Sequence, residues 1–128
     1  MARDLIDVQY PKAESTQSVA AAKITKSAVT VANGIGIKKA FANKNNTLFV
    51  CIENNDDAAT TVTFKAGNAY PNAMLGDLTV SLLAETLNVY QIQDPSRFEN
   101  KDGSVNVDFA SGFDGKIYAV AKSTALNA

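Results

Sequence analysis

Residues 46–67 read NTLFVCIENNDDAATTVTFKAG, two alternating apolar runs joined by a polar, turn-rich segment. In the first run Leu48, Val50 and Ile52 share one face, with Thr47, Phe49, Cys51 and Glu53 on the other. In the second, Val62 and Phe64 alternate with Thr61, Thr63 and Lys65. Period-two alternation is the mark of a half-buried strand, because successive side chains leave a pleated sheet on opposite sides. The join, Asn54-Asn55-Asp56-Asp57-Ala58-Ala59, collects short polar side chains that bond their own backbone and tolerate left-handed conformations. The stretch therefore predicts a β-hairpin. Two strands do not stand alone in water, so the pair also predicts further strands beside it and a second layer against its apolar face.

Working outward, residues 27–31 alternate around Val29 and Val31, and Asn33-Gly34 is a tight-turn signal before Ile35-Gly36-Ile37. That pattern fits a short hairpin or a longer strand bulged at Gly36. Residues 68–76 form an irregular loop carrying Tyr70, Met74 and Leu75, which either folds back onto the core or offers a protein contact. Leu78, Val80 and Leu82 restore the alternation, and Leu87 and Val89 continue it after the turn Ala84-Glu85-Thr86. Pro95 cannot donate to a ladder, so Ser96-Arg97-Phe98 predicts a corner, with the Phe98 ring in the core and the Arg97 guanidinium on loop carbonyls. Arg97 as a partner contact is the second reading, since arginine is enriched at interface hot spots. Val105, Val107 and Phe109, then Ile117, Ala119 and Ala121, supply the last two strands.

Seven to eight short strands, with turns recurring at intervals of roughly ten residues, predict an all-β domain over residues 27–122. An antiparallel β-sandwich, Ig-like or jelly-roll-like, is the expected form, with a small closed barrel as the alternative. Residues 1–26 lack sustained alternation and predict an N-terminal arm, either extended or with a short helix over residues 15–23. Leu5, Ile6, Val8 and Tyr10 give that arm apolar anchors. Residues 123–128 read as a short polar tail.

The chain of 128 residues carries 12 basic and 13 acidic side chains, a net charge of −1, so no global field draws it to nucleic acid or an anionic membrane. No apolar run reaches the length that crosses a bilayer, and the start, MARDLIDVQYPK, lacks a secretory signal pattern. Synthesis in a cytoplasm is the expectation. Histidine is absent, which excludes Ser-His-Asp, Cys-His and His-based zinc sites. The lone Cys51 reads as a small hydrophobe within a strand. Asn54-Asn55-Asp56-Asp57 lacks calcium-loop spacing, and Asp102, Asp108 and Asp114 read as turn and strand residues rather than ligands. Gly34-Ile35-Gly36 lacks the third glycine and the helix of a dinucleotide fingerprint. No nucleophile with an orienting base stands out, so neither enzymatic activity nor a cofactor or metal is expected.

Gly76-Asp77-Leu78-Thr79-Val80, Ser96-Arg97-Phe98 and Asp102-Gly103-Ser104-Val105 carry a resemblance. In this order, after a strand like that of residues 46–67, they make residues 43–122 resemble the capsid decoration, or cement, proteins of tailed bacteriophages. The resemblance implies a non-enzymatic virion protein that binds the outside of an assembled shell in many copies, with the major capsid protein as partner and a homo-oligomer, a trimer, as its form. It implies no nucleic-acid or membrane partner. The contact residues expected on this reading are Leu5, Ile6, Val8, Tyr10, Tyr70, Met74, Leu75 and Arg97. A phage tail or head-fibre component, or a free-standing β-sandwich that binds a ligand, are the alternatives.

Overall fold

In the computed structural model, the described residues are 2–10, 23–41, 48–70, 75–93 and 95–121. The alternating runs become strands: β1 (Asp4–Gln9), β2 (Ser27–Ala28), β3 (Ile35–Lys38), β4 (Leu48–Asn54), β5 (Thr60–Phe64), β6 (Leu78–Leu82), β7 (Leu87–Ile92), β8 (Val105–Phe109) and β9 (Gly115–Ala121). A 3-10 turn, Pro95–Arg97, stands where the proline ends the alternation. No helix among the described residues is long and apolar enough to cross a membrane.

The fold is all-β, as the strand pattern predicts. The strands run in the order β6-β5-β8-β3-β1-β9-β4-β7, with β2 also on β9, in one mixed sheet that curls almost into a barrel. β6 and β7 are its two ends. The expectation of a purely antiparallel sheet does not hold, because β1 runs parallel to both of its neighbours. Its first half pairs with β3, from Asp4↔Ile35 to Asp7↔Lys38, and its second half with β9, at Val8↔Ala119 and Gln9↔Val120. One strand thereby joins the two halves of the wall. Parallel neighbours need a long connection between them, and β1 is separated from both β3 and β9 by enough chain to allow it.

The segment expected as an arm thus enters the sheet over Asp4–Gln9. Ile6 and Val8 face inward and are buried, while Leu5 and Asp7 face out. The short alternation Ile6-x-Val8, flanked by Asp4, Asp7 and Gln9, is the whole signal for this strand, and it is too brief to read by pattern alone. The helix expected over residues 15–23 falls almost wholly outside the described residues, and so does the tail.

The predicted hairpin of residues 46–67 is also corrected. Both runs are strands, but they do not pair with each other. β4 pairs with β7 and β9, while β5 pairs with β6 and β8. The chain arches from one half of the wall to the other, so Leu48, Val50 and Ile52 meet the same core as Val62 and Phe64. Asn54 holds the arch. It is buried, its Nδ2 donates to Ala58 O and Leu83 O at 3.1 Å each, and its Oδ1 accepts from Asp56 N at 3.1 Å. Those bonds satisfy an amide that would be costly to bury unpaired.

Residues 83–86 make a second arch, from β6 to β7, and Glu85 N donates to Asp56 O to tie the two arches together. At Asn33-Gly34 the predicted turn forms: Thr30 O accepts from both backbone nitrogens, and Gly34 takes φ +69°, a conformation that suits glycine. It joins β2 to β3 without pairing them, because β2 lies on β9 and β3 lies between β1 and β8.

Candidate functional site

The open side of the wall, where β6 and β7 face each other unpaired, is the most distinctive surface. Inward-facing residues there are large and aromatic. Phe64 of β5 meets Tyr90 of β7 edge-on, with centroids 5.4 Å apart, and Phe98 lies 6.0 Å from Phe64 on the other side. Between them opens an apolar slot of about 340 Å³, walled by Phe64, Leu78, Val80, Tyr90 and Phe98. Burial raises the Tyr90 phenol above its ordinary pKa, which keeps it neutral.

The Ser96-Arg97-Phe98 corner closes one end of the slot. Phe98 is buried, and the Arg97 guanidinium sits 5.3 Å from the centroid of its ring. Arg97 Nε donates to Gly76 O at 3.0 Å and its Nη2 to Asp77 O at 3.2 Å, the carbonyl contacts expected of a corner. Asp77 is fastened further: its Oδ2 accepts from Lys65 Nζ at 2.7 Å and its Oδ1 from Ala66 N at 2.6 Å. The Lys65 ammonium, then the Ala66 amide, hold the Asp77 carboxyl below its usual range, and Asp77 in turn raises Lys65. Gly67 packs directly against the Glu99 carbonyl, an approach that a Cβ would block.

At the slot and beyond it, exposed apolar side chains recur along the chain. Leu75, Leu78, Leu83, Leu87 and Val89 are all exposed, with Leu75, Leu83 and Val89 at 67%, 69% and 57%. Leu87 and Val89 stand on the outer face of β7, beside Phe49 and Cys51 of β4, which are paired with Gln91 and Val89. Cys51 is buried between Val89 and Tyr118, and burial raises its thiol pKa, which suits a protonated, unreactive sulfur.

The expected contact residues do not form one patch. Leu5 and Tyr10 are exposed on β1 and just after it, whereas Ile6 and Val8 belong to the core. Tyr70 is exposed and its hydroxyl donates to Glu99 Oε1 at 3.0 Å. Leu75 stands beside the slot, Arg97 forms its corner, and Met74 lies outside the described residues. Sequence reading missed Leu87 and Val89 as surface residues. Because Tyr90 and Ile92 alternate with them, β7 is apolar on both faces, and alternation alone does not say which face meets the core.

Asp102, Asp108 and Asp114 do not converge. Asp108 is paired with Arg3, and Asp102 accepts from Ser104 N and Oγ, which lowers its pKa. No three side chains among His, Cys, Asp and Glu gather as a metal site among the described residues. Asn54-Asn55-Asp56-Asp57 is the arch described above.

No protein-family model matches the chain, and no curated protein and no solved structure matches it significantly.

Proposed function

We propose that this chain is a non-enzymatic virion structural protein, a capsid decoration protein that binds the outer surface of an assembled phage shell in many copies and stabilises it. The resemblance of residues 76–80, 96–98 and 102–105 suggests the class. The observation that carries the reading is the run of exposed apolar side chains at Leu75, Leu78, Leu83, Leu87 and Val89, all within fifteen residues of sequence on and around the two end strands, with Leu75 and Leu78 lining the slot and Leu87 and Val89 on the outer face of β7. Exposed apolar side chains this frequent on one stretch of chain supply the material of a protein-binding surface. A shell lattice then needs only modest affinity at each site, since many copies act together on one particle.

The slot beside this face supports a second reading, a module that binds a small apolar ligand between Phe64, Tyr90 and Phe98. Particles stripped of the protein and then reloaded separate the two. Reloading should raise the temperature at which the shell opens, and Leu75→Glu with Leu83→Glu should abolish that gain without altering the fold. Reloading with no effect on shell opening would contradict the decoration reading.

A further inference from the structure

β7 is an edge strand without the devices that usually guard such edges. From Thr86 to Ile92 it has no charge, no proline and no glycine. Among the described residues it pairs on one side only, with β4, from Leu48↔Ile92 to Glu53↔Leu87. Asn54 N donates to Thr86 O at 2.8 Å, which sets the phase of the ladder. The N–H and C=O groups of Asn88, Tyr90 and Ile92 turn toward β4, and those of Leu87, Val89 and Gln91 turn away from it. The backbone groups of these three have no hydrogen-bond partner among the described residues. Their side chains stand on the outer face, where Leu87 and Val89 are 49% and 57% exposed.

We propose that β7 pairs antiparallel with β7 of a second copy of this chain, about a two-fold axis at Val89. The strand is self-complementary in this register. Antiparallel partners share a face of the sheet, so the outward residues Leu87, Val89 and Gln91 must meet one another, and the free backbone groups belong to the same three residues. Centring on Val89 satisfies both conditions at once. Val89 faces Val89 of the second copy, Leu87 faces its Gln91, and about six main-chain hydrogen bonds close the edge. Charge fits as well: residues 86–92 oppose only uncharged residues, and Glu85 falls opposite Gln93, so no like charges meet. The other edge, β6, offers Thr79 and Ser81 on its outer face and is less apolar there. Pairing at β7 would join two walls into one continuous sheet, β9-β4-β7-β7-β4-β9.

The inference rests on the β7 edge, although it shares Leu87 and Val89 with the shell-binding reading, and is tested on the isolated chain, without particles. Analytical ultracentrifugation should find twice the chain mass, with the dimer lost in Val89→Lys and lost in Val89→Glu. Mixing these two variants should restore a pair, since a lysine and a glutamate would then meet on the axis. Hydrogen exchange on the unaltered protein provides a second readout should a variant fold poorly: the Leu87, Val89 and Gln91 amides should become protected as concentration rises. A monomer at all concentrations, a three-fold assembly, no rescue on mixing, or fast exchange at these three amides would overturn the proposal.

Discussion

Asn54 decides at the level of one side chain how the two runs of residues 46–67 are joined. Its amide spans both arches, bonding Ala58 O, Leu83 O and Asp56 N, and it is almost wholly buried. Asn54→Ala would strand two carbonyls and an N–H, and should cost about 1–3 kcal/mol in urea unfolding, the usual penalty for unpaired buried polar groups. Asn54→Asp should cost more at neutral pH, because a carboxylate has no donor for the two carbonyls it would face. Equal stability of both variants with the parent would remove the residue from this role.

At the scale of the element, the connection from β5 to β6 is held by a small set of polar contacts. Lys65 bonds Asp77, Ala66 bonds Asp77, and Arg97 bonds the Gly76 and Asp77 carbonyls. The Asp77 carboxyl is lowered from its ordinary 3.8, so its contribution is present above that value and is lost as pH falls through the lowered one. Lys65 is raised from 10.5, so its contribution is present below 10.5 and is lost as pH rises through the raised value. The melting temperature of the parent should therefore exceed that of Asp77→Asn at neutral pH, and the gap should close on acidification below about pH 4. A gap that persists unchanged in acid would show that the carboxylate is not what fastens the loop. Both groups are exposed, so salt should narrow the gap too.

Much at this scale was legible beforehand. The strands at Leu48, Val62, Leu78, Val105 and Ile117 follow from alternation of large apolar residues, and the Arg97–Phe98 corner follows from the proline that precedes it. Pairing was not legible in the same way. Alternation tells which face of a strand is buried, but β4 and β5 can bury their faces side by side in a hairpin or opposite each other across a core. The outcome lies in the pairings with β7, β9, β6 and β8, and the buried amide of Asn54 fastens it; neither is a property of the local sequence. β1 was obscured for a different reason, since its inward pair, Ile6 and Val8, is too short to register as a period. Tyr70 and Leu75, read beforehand as apolar loop residues, are exposed, while the exposure of Leu87 and Val89 was hidden by apolar residues on both faces of β7.

For the whole molecule, the decisive element is β1, because among the described strands it is the one that bridges β3 and β9. Removing residues 2–10 should unfold the domain rather than free it from an arm, and Ile6→Ala should lower stability by about 3 kcal/mol, as for a buried isoleucine emptied to alanine. A deletion that left far-UV circular dichroism and the unfolding midpoint unchanged would return this segment to the role of an arm. The same wall leaves β6 and β7 as its two ends, not paired with each other, and the exposed leucines of residues 75–87 lie on and around these strands, which is where contact with a shell is proposed.

The measurement that bears most directly on that proposal is the copy number of this chain in purified particles from its source, by quantitative mass spectrometry against the most abundant shell protein. A ratio within a few-fold of the shell protein is the predicted result. A few copies per particle would instead point to a tail or fibre position, and absence from particles would contradict a virion role altogether.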